Sequence, residues 1–130
     1  MACILVIDDD AAVRFALCRL LEQQGYEVVT AGDGQEGLQC VTARCPDLLL
    51  VDIFLPEMDG IETIRWVRRR FPHLPIIAMS GGSRVYGAGE VLAVARDFGA
   101  QYTFRKPIAP GALLVAVQTL LRAAARDGNV

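Results

Sequence analysis

Three short and unbroken hydrophobic runs stand out along the chain, and each one stops abruptly at a polar residue. They cover residues 4–7, 48–51 and 76–79 and end at Asp8, Asp52 and Ser80. A run without alternating polar positions is typical of a strand that is buried on both faces, as in a parallel sheet. Residues 26–30 and 102–105 show two further, more polar strand patterns. The sequence therefore predicts five strands.

Helical patterns separate and follow these strands. The first helix carries its apolar stripe on Val13, Ala16, Leu17, Leu20 and Leu21. The next three helices are predicted over residues 34–43, 61–71 and 88–98, with Asp33 as a helix cap, and the last helix begins at Pro110. Strands that alternate with helices predict an α/β fold, in which a doubly wound parallel sheet carries helices on both faces.

Composition narrows the class of protein. The 130 residues suit one domain, and no apolar run approaches the roughly 18 residues that a membrane span needs. The net charge of -2 does not indicate the basic surface that binds nucleic acid. The N-terminus has neither the basic region nor the long apolar region of a secretory signal. We therefore expect a cytoplasmic protein that binds neither membrane nor nucleic acid.

Cysteines and an arginine run favour ordinary structural roles. The cysteines are Cys3, Cys18, Cys40 and Cys45. They form no Cys-x-x-Cys pair and accompany a single histidine, which argues against a zinc site, so we expect reduced and buried thiols. A redox role for Cys40 or Cys45 stays an alternative. The run Arg68, Arg69, Arg70 is expected to be a solvated helix end.

The ends of the predicted strands carry the candidate chemistry. The polar residues found there are Asp8, Asp9, Asp10, Asp52, Ser80 and Lys106. In open α/β sheets ligands bind beyond the carboxyl ends of the strands, so we expect these groups to share one pocket. Carboxylates at ~4 Å would repel one another by about 4 kcal/mol per pair at an effective dielectric of ~20. A small divalent cation would offset this repulsion. Mg²⁺ fits the oxygen ligands, and Mn²⁺ could substitute.

Lys106 is set apart by composition as well as by position. It is the only lysine among thirteen basic residues. An ammonium is a compact point charge, which the planar guanidinium of arginine does not replace. Its place beside the acidic pocket indicates a functional cation.

These motifs, in this order, resemble the receiver domain of bacterial response regulators over nearly the whole chain. The matching segments are Asp8-Asp9-Asp10, the stretch from Val51 to Gly60, Met79-Ser80-Gly81 and Lys106-Pro107. The resemblance implies a flavodoxin-like receiver fold with strand order 2-1-3-4-5. It also implies one receiver domain over residues 1–130, ordered over roughly 2–124, with no output domain after it.

The resemblance also assigns roles to the pocket residues. Asp52 would accept a phosphoryl group from the phosphohistidine of a sensor histidine kinase or a histidine phosphotransfer protein. The implied Mg²⁺ ligands are Asp8, Asp9, Asp52 and the backbone carbonyl of Phe54. Lys106 and Ser80 would stabilise the phosphoryl group. Such a protein is a signalling switch and not an enzyme. The only reactions it would carry out are the transfer of the phosphoryl group to itself and the slow hydrolysis of that group.

Neighbouring residues are expected to shape the site and the signal. Asp10 and Asp59 each precede a predicted helix and are expected to cap it. Lys106-Pro107 resembles the family's cis peptide. The signal would pass to a protein target through the face made by the fourth helix, fifth strand and fifth helix, in a monomer or a phosphorylation-dependent dimer.

Some positions depart from the family pattern. Thr103 stands where most receivers have an aromatic switch residue, and Tyr102 beside it points to the other side of the strand, so Tyr102 is expected in core or interface packing. Gly81, Gly82, Gly87 and Gly89 mark a loop that we expect to become ordered on phosphorylation. Phe54 and Gly82 lack side chains that could orient a water, which predicts a long-lived acyl phosphate.

Three alternatives stay open. A haloacid-dehalogenase-like phosphohydrolase also uses an aspartyl phosphate, Mg²⁺, a hydroxyl residue and a lysine, but it needs an acidic pair after the lysine that this chain lacks. A receiver-like interaction module would act without phosphorylation. The chain could also be a fragment of a longer regulator or hybrid kinase.

Overall fold

The computed structural model describes residues 1–55, 58–81 and 88–128. Within these residues five strands alternate with five helices. The elements are β1 (Cys3–Ile7), α1 (Ala11–Glu22), β2 (Glu27–Ala31), α2 (Gly34–Ala43), β3 (Leu48–Asp52), α3 (Gly60–Arg70), β4 (Ile76–Ser80), α4 (Ala88–Asp97), β5 (Tyr102–Arg105) and α5 (Pro110–Gly128). None of the helices in these ranges has both the length and the hydrophobicity for crossing a membrane.

The five strands form one parallel sheet in the order β2-β1-β3-β4-β5. This confirms the predicted fold class and strand order. Because all strands run the same way, their carboxyl ends lie at one edge of the sheet. The order reverses direction between β1 and β3, so the ends of these two strands flank the crevice in which such sheets bind ligands.

Hydrophobic side chains fill the space on both faces of the sheet. One cluster packs α2, α3 and α4 against the sheet, and a second cluster packs α1 and α5 against the opposite face. The three inner strands are buried along their whole length. Their unbroken hydrophobic runs follow from this two-sided burial, since neither face of these strands meets water.

The ends of several elements differ by one residue from the sequence prediction. The second strand is Glu27–Ala31 and the third helix is Gly60–Arg70. Phe71 leaves the helical conformation because a proline follows it. Phe98 lies outside α4, where Gly99 with φ of 122° turns the chain.

Some burial predictions were wrong. Ala16 is exposed, since it lies at the margin of the α1 stripe. Cys3 is buried, whereas Cys18 and Cys40 are half-buried and Cys45 is exposed. All four thiols are free, and burial raises the pKa of Cys3, Cys18 and Cys40, which keeps these three protonated.

Arg68 is also not the solvated residue that was predicted. It is half-buried, and burial lowers its pKa. Its guanidinium donates hydrogen bonds to the carbonyls of Pro72 and Gly99, each at 2.7 Å. The side chain thus joins the loop after α3 to the loop after α4, because its planar fork can serve several acceptors at once.

Gly60 lets α3 begin directly against the end of β3. A Cβ atom at Gly60 would lie 2.2 Å from the backbone oxygen of Asp52 and 2.6 Å from the Cα of Ile53. The Gly60 amide donates to the Ile53 carbonyl at 2.8 Å. Because Gly60 has no side chain, the start of α3 can pack directly against the backbone that carries Asp52.

We expect Gly60→Ala to lower the free energy of unfolding, because the added methyl group meets backbone atoms that cannot turn aside. Overpacking of this kind costs roughly 1–3 kcal/mol. The matched control is Gly111→Ala in α5, where a Cβ atom would have no neighbour within 4 Å. That change should stabilise the protein by roughly 0.5–1 kcal/mol. Urea unfolding measures both, and equal effects of the two changes would contradict the assignment.

Candidate functional site

Three aspartates meet at the carboxyl edge of the sheet. Asp8 follows β1 and is fully buried, Asp52 ends β3 and is 4% exposed, and Asp9 is exposed at the rim. One oxygen from each of the three carboxylates lies within 4.8 Å of the other two. This cluster follows from two predicted features. Strands β1 and β3 are adjacent, and acidic residues lie at the ends of both.

Lys106 inserts its ammonium group between the two buried acids. Its Nζ atom lies 2.7 Å from Oδ2 of Asp8 and 2.8 Å from Oδ2 of Asp52. The lysine follows β5, two strands away from β3, so its side chain reaches past the end of β4. The backbone amide of Lys106 donates to the Ser80 carbonyl at 3.0 Å, which fixes the base of the side chain.

Burial and charge act in opposite directions on this pair. Burial raises the pKa of Asp52, the Asp8 carboxylate raises it further, and the bonds from Lys106 and the Phe54 amide do not fully offset the two. Burial lowers the pKa of Lys106, but the bonds to Asp52 and Asp8 outweigh burial and leave that pKa raised. The ammonium is therefore stably charged, and the positive charge beside Asp52 does not fully offset the burial of its carboxylate.

The aspartate cluster has the donors that a small divalent cation needs. The three carboxylates offer oxygens within 4.8 Å of one another, and carboxylate oxygens are the ligands that Mg²⁺ prefers. The second oxygen of Asp8 accepts from the Asp10 amide at 2.9 Å, and that of Asp52 accepts from the Phe54 amide at 3.1 Å. Each carboxylate oxygen can accept more than one partner, so these bonds orient the acids without exhausting them.

The segment that follows β1 is held from several directions. The amide of Asp8 donates to the Ala31 carbonyl at 3.1 Å, and its own carbonyl accepts from Nη1 of Arg14 at 2.7 Å. The Asp10 carboxylate accepts from the Ala12 amide at 2.8 Å, which confirms Asp10 as the cap of α1. Sequence reasoning missed Arg14. The sequence indicated its role only through its position, one turn into the helix that follows the acids.

Asp59 has the role predicted for it. Its carboxylate accepts from the Glu62 amide at 2.8 Å at the start of α3. The same arrangement holds for Asp33 at the start of α2, where the Glu36 amide donates at 2.7 Å. These caps orient α2 and α3, whose N-terminal ends follow the carboxyl ends of β2 and β3.

Ser80 and the carboxyl end of β5 lie on the other side of the pocket from β1. Ser80 is buried at the end of β4, and the Lys106-Pro107 peptide is cis, as expected. Thr103 is half-buried and Tyr102 is 39% exposed, so of the two expected roles core packing is wrong for Tyr102, and interface packing stays a prediction. Tyr102 begins the edge strand, whose residues are less buried than those of the three inner strands.

Some predicted features lie outside the described residues or differ from expectation. Gly82 and Gly87 lie outside them, as does Pro56 after Asp52. Gly89, which was assigned to the loop, lies in the first turn of α4. Phe54 is 36% exposed and follows Asp52 by two residues.

Comparison with known proteins identifies a family. A family model described as response regulator receiver domain matches residues 4–118. The chain is 40% identical over 119 residues to the response regulator MprA of Mycobacterium leprae, and 34% identical over 119 residues to the alkaline phosphatase synthesis transcriptional regulatory protein PhoP of Bacillus subtilis. These matches cover 92% of the chain, which spans about half the length of the two relatives.

Solved structures agree with this result. A CheY-like response regulator receiver domain protein from Methanospirillum hungatei superposes with a TM-score of 0.88 at 29% identity, over 98% of both chains. A response regulator receiver domain protein from Clostridium thermocellum gives a TM-score of 0.86 at 30% identity, over 95% of this chain and 96% of the other.

We expect Lys106→Met to destabilise the protein, because two buried carboxylates lose their shared cation. Breaking a buried ion pair costs several kcal/mol, and about 2–3 kcal/mol fits a lysine side chain that is 23% exposed. Mg²⁺ should restore part of this loss by supplying the missing charge. The control is Arg44→Met, which breaks the exposed Arg44–Glu27 pair and should barely move the urea midpoint. A Lys106 variant as stable as the wild type would contradict this view of the pocket.

Proposed function

Because this chain belongs to the response regulator receiver domain family, we propose that it is a phosphoacceptor switch in which Asp52 carries the phosphoryl group. The single observation that supports this assignment best is the shared Lys106 ammonium. It binds one oxygen of Asp52 and one oxygen of Asp8, and so joins the two buried carboxylates at the ends of β3 and β1. Family members are signalling proteins, and the histidine kinase is their usual partner.

The proposed reaction is a phosphoryl transfer between two side chains. An oxygen of Asp52 attacks the phosphorus of a phosphohistidine on a kinase or phosphotransfer protein. The new O–P bond forms as the P–N bond breaks, and the imidazole nitrogen keeps the electron pair. The Phe54 amide, 3.1 Å from Oδ1 of Asp52, orients the carboxylate for this attack. Self-transfer and slow hydrolysis are the only reactions we assign.

Positive charge near Asp52 stabilises the transferring group. The Lys106 ammonium already touches the carboxylate and is placed to neutralise charge that develops on the phosphoryl oxygens. We assign hydrogen bonding of the attached group to Ser80, which lies at the end of the neighbouring strand. Thr103 lies on the same sheet face as Ser80 and is kept as a minor candidate for the switch.

A divalent cation would be held by Asp9 directly, by Asp8 through water, by Asp52 and by the Phe54 carbonyl. Bound there, Mg²⁺ supplies charge stabilisation to the phosphoryl oxygens, and Mn²⁺ is proposed as a substitute. The exposure of Asp9 suits this role, because its carboxylate can exchange water for the ion without opening the core.

The proposal extends to the output of the switch. We assign target binding to the face of α4, β5 and α5, in a cytoplasmic monomer or phosphorylation-dependent dimer that acts by protein contacts and without nucleic acid. PhoP of Bacillus subtilis is named a transcriptional regulatory protein, and we do not extend that role to this chain. Neither a phosphohydrolase nor a phosphorylation-independent module gains support from the relatives.

Incubation with acetyl phosphate and Mg²⁺ should add one phosphoryl group to the wild-type protein, measured by intact mass. Asp52→Asn should stay unmodified, because the amide nitrogen replaces the attacking oxygen and its charge. Trp66 on α3 provides a second readout by fluorescence.

The matched control is Asp10→Asn. Asparagine caps a helix as well as aspartate does, so this variant loses one negative charge beside the pocket and keeps α1 intact. It should be phosphorylated like the wild type. A phosphoryl group that still appears in Asp52→Asn would refute the assigned acceptor, and loss of modification in Asp10→Asn would show that Asp10 belongs to the site.

We expect the acyl phosphate to be long-lived, because Phe54, two residues after Asp52, has a ring that cannot orient water. Phe54→Glu should shorten its lifetime by at least about tenfold, a small part of what a positioned base contributes. Phe54→Leu keeps the position apolar and should leave the lifetime near that of wild type. Decay of purified phosphoprotein measures this, and a wild-type half-life of seconds would contradict the expectation.

A further inference from the structure

The side chain of Arg105 lies against the first turn of α4. A Cβ atom placed on Gly89 would be only 2.5 Å from Nη2 of Arg105. That distance is shorter than van der Waals contact, so the guanidinium occupies space that exists because residue 89 is glycine. Arg105 and Gly89 therefore connect the last residue of β5 to the beginning of α4.

This position is unfavourable for a cation. Unsatisfied N–H groups give the beginning of a helix partial positive charge, which repels a guanidinium. Glu90 adds a negative charge to the first turn, but the salt bridges of the described residues include none between Glu90 and Arg105. Within this part of the chain Arg105 also makes no side-chain hydrogen bond. Its donors are thus available to another partner.

The phosphoacceptor pocket lies within reach of the same strand end. Lys106, the next residue, already extends from the end of β5 to Asp52. Arg105 is the partner of Ser80 in the pairing of β4 with β5, so both side chains leave the same face of the sheet. Ile76 and Ala78, which share this face of β4 with Ser80, belong to the hydrophobic cluster that includes α4, and the Arg105 side chain therefore leaves the sheet on the α4 side.

We propose that Arg105 couples the phosphorylation of Asp52 to helix α4, an inference that rests on the proposed function. In the unphosphorylated protein the guanidinium lies on Gly89. A phosphoryl group adds about -1.5 to -2 charges and three acceptor oxygens, which guanidinium groups bind well. Arg105 turns from the positive end of α4 towards this charge, and the first turn of α4 is released. Thr103, on the same face of β5, is too short to make this connection.

The test follows the α4 amides by NMR in ¹⁵N-labelled protein with Mg²⁺, before and after saturation with beryllofluoride. In the wild type the amide shifts of residues 89–97 should change. Arg105→Met removes the charge but keeps a long side chain, and Gly89→Ala displaces the guanidinium and keeps its charge. In both variants α4 should show much of the change beforehand, and the response should fall to roughly half or less.

Arg96→Met is the matched control, because it removes an exposed arginine from the other end of α4. It should respond like the wild type. A full wild-type response in Arg105→Met would overturn the coupling role, as would an equal loss of response in Arg96→Met. If Gly89→Ala does not fold, Arg105→Met decides alone.

Intact mass after acetyl phosphate treatment separates the two proposals. A wild type that gains no phosphoryl group refutes the proposed function, and the coupling with it. A wild type that is phosphorylated on Asp52, together with an unaltered α4 response in Arg105→Met, refutes the coupling alone.

Discussion

The bridge from Lys106 to Asp8 and Asp52 is the interaction on which the site depends. Two carboxylates are buried at the end of a hydrophobic sheet, where an unpaired charge is expensive. One ammonium serves both acids, at 2.7 and 2.8 Å, and so ties the ends of β1, β3 and β5 together. The third acid, Asp9, has no such partner among the described residues. The pocket thus keeps an excess of negative charge, which favours a divalent cation.

The rest of the fold supports this edge of the sheet. Two hydrophobic clusters pack against both faces of the sheet and hold the strands in place. The backbone positions from which the strand-end side chains extend are therefore fixed. Asp10 and Asp59 begin the helices that follow the acids, and Gly60 brings α3 against the Asp52 backbone. Chemistry placed on such a frame needs little further ordering when a partner arrives, which is the physical advantage of preorganisation.

Arginines show how the same residue type serves different ends in this protein. Arg68 gives its donors to backbone carbonyls and joins two loops at the far side of the domain. Arg14 holds the Asp8 backbone from α1. Arg105 lies on Gly89 without a polar partner among the described residues. Arg68 and Arg14 thus stabilise the fold, whereas the N–H donors of Arg105 can bind the phosphoryl group in the proposed coupling.

Much of this protein was determined by the sequence itself. The unbroken runs that end at Asp8, Asp52 and Ser80 predicted parallel strands and a shared pocket, because periodicity reports burial and parallel strands end at one edge. The caps followed from local chemistry in the same way. Tertiary structure decided what depends on distant atoms: that Lys106 reaches both acids, that Arg68 is half-buried, that Tyr102 is exposed, and that Gly89 lies under Arg105. Local pattern cannot supply these contacts, since each joins segments that only the packed sheet and helices bring together.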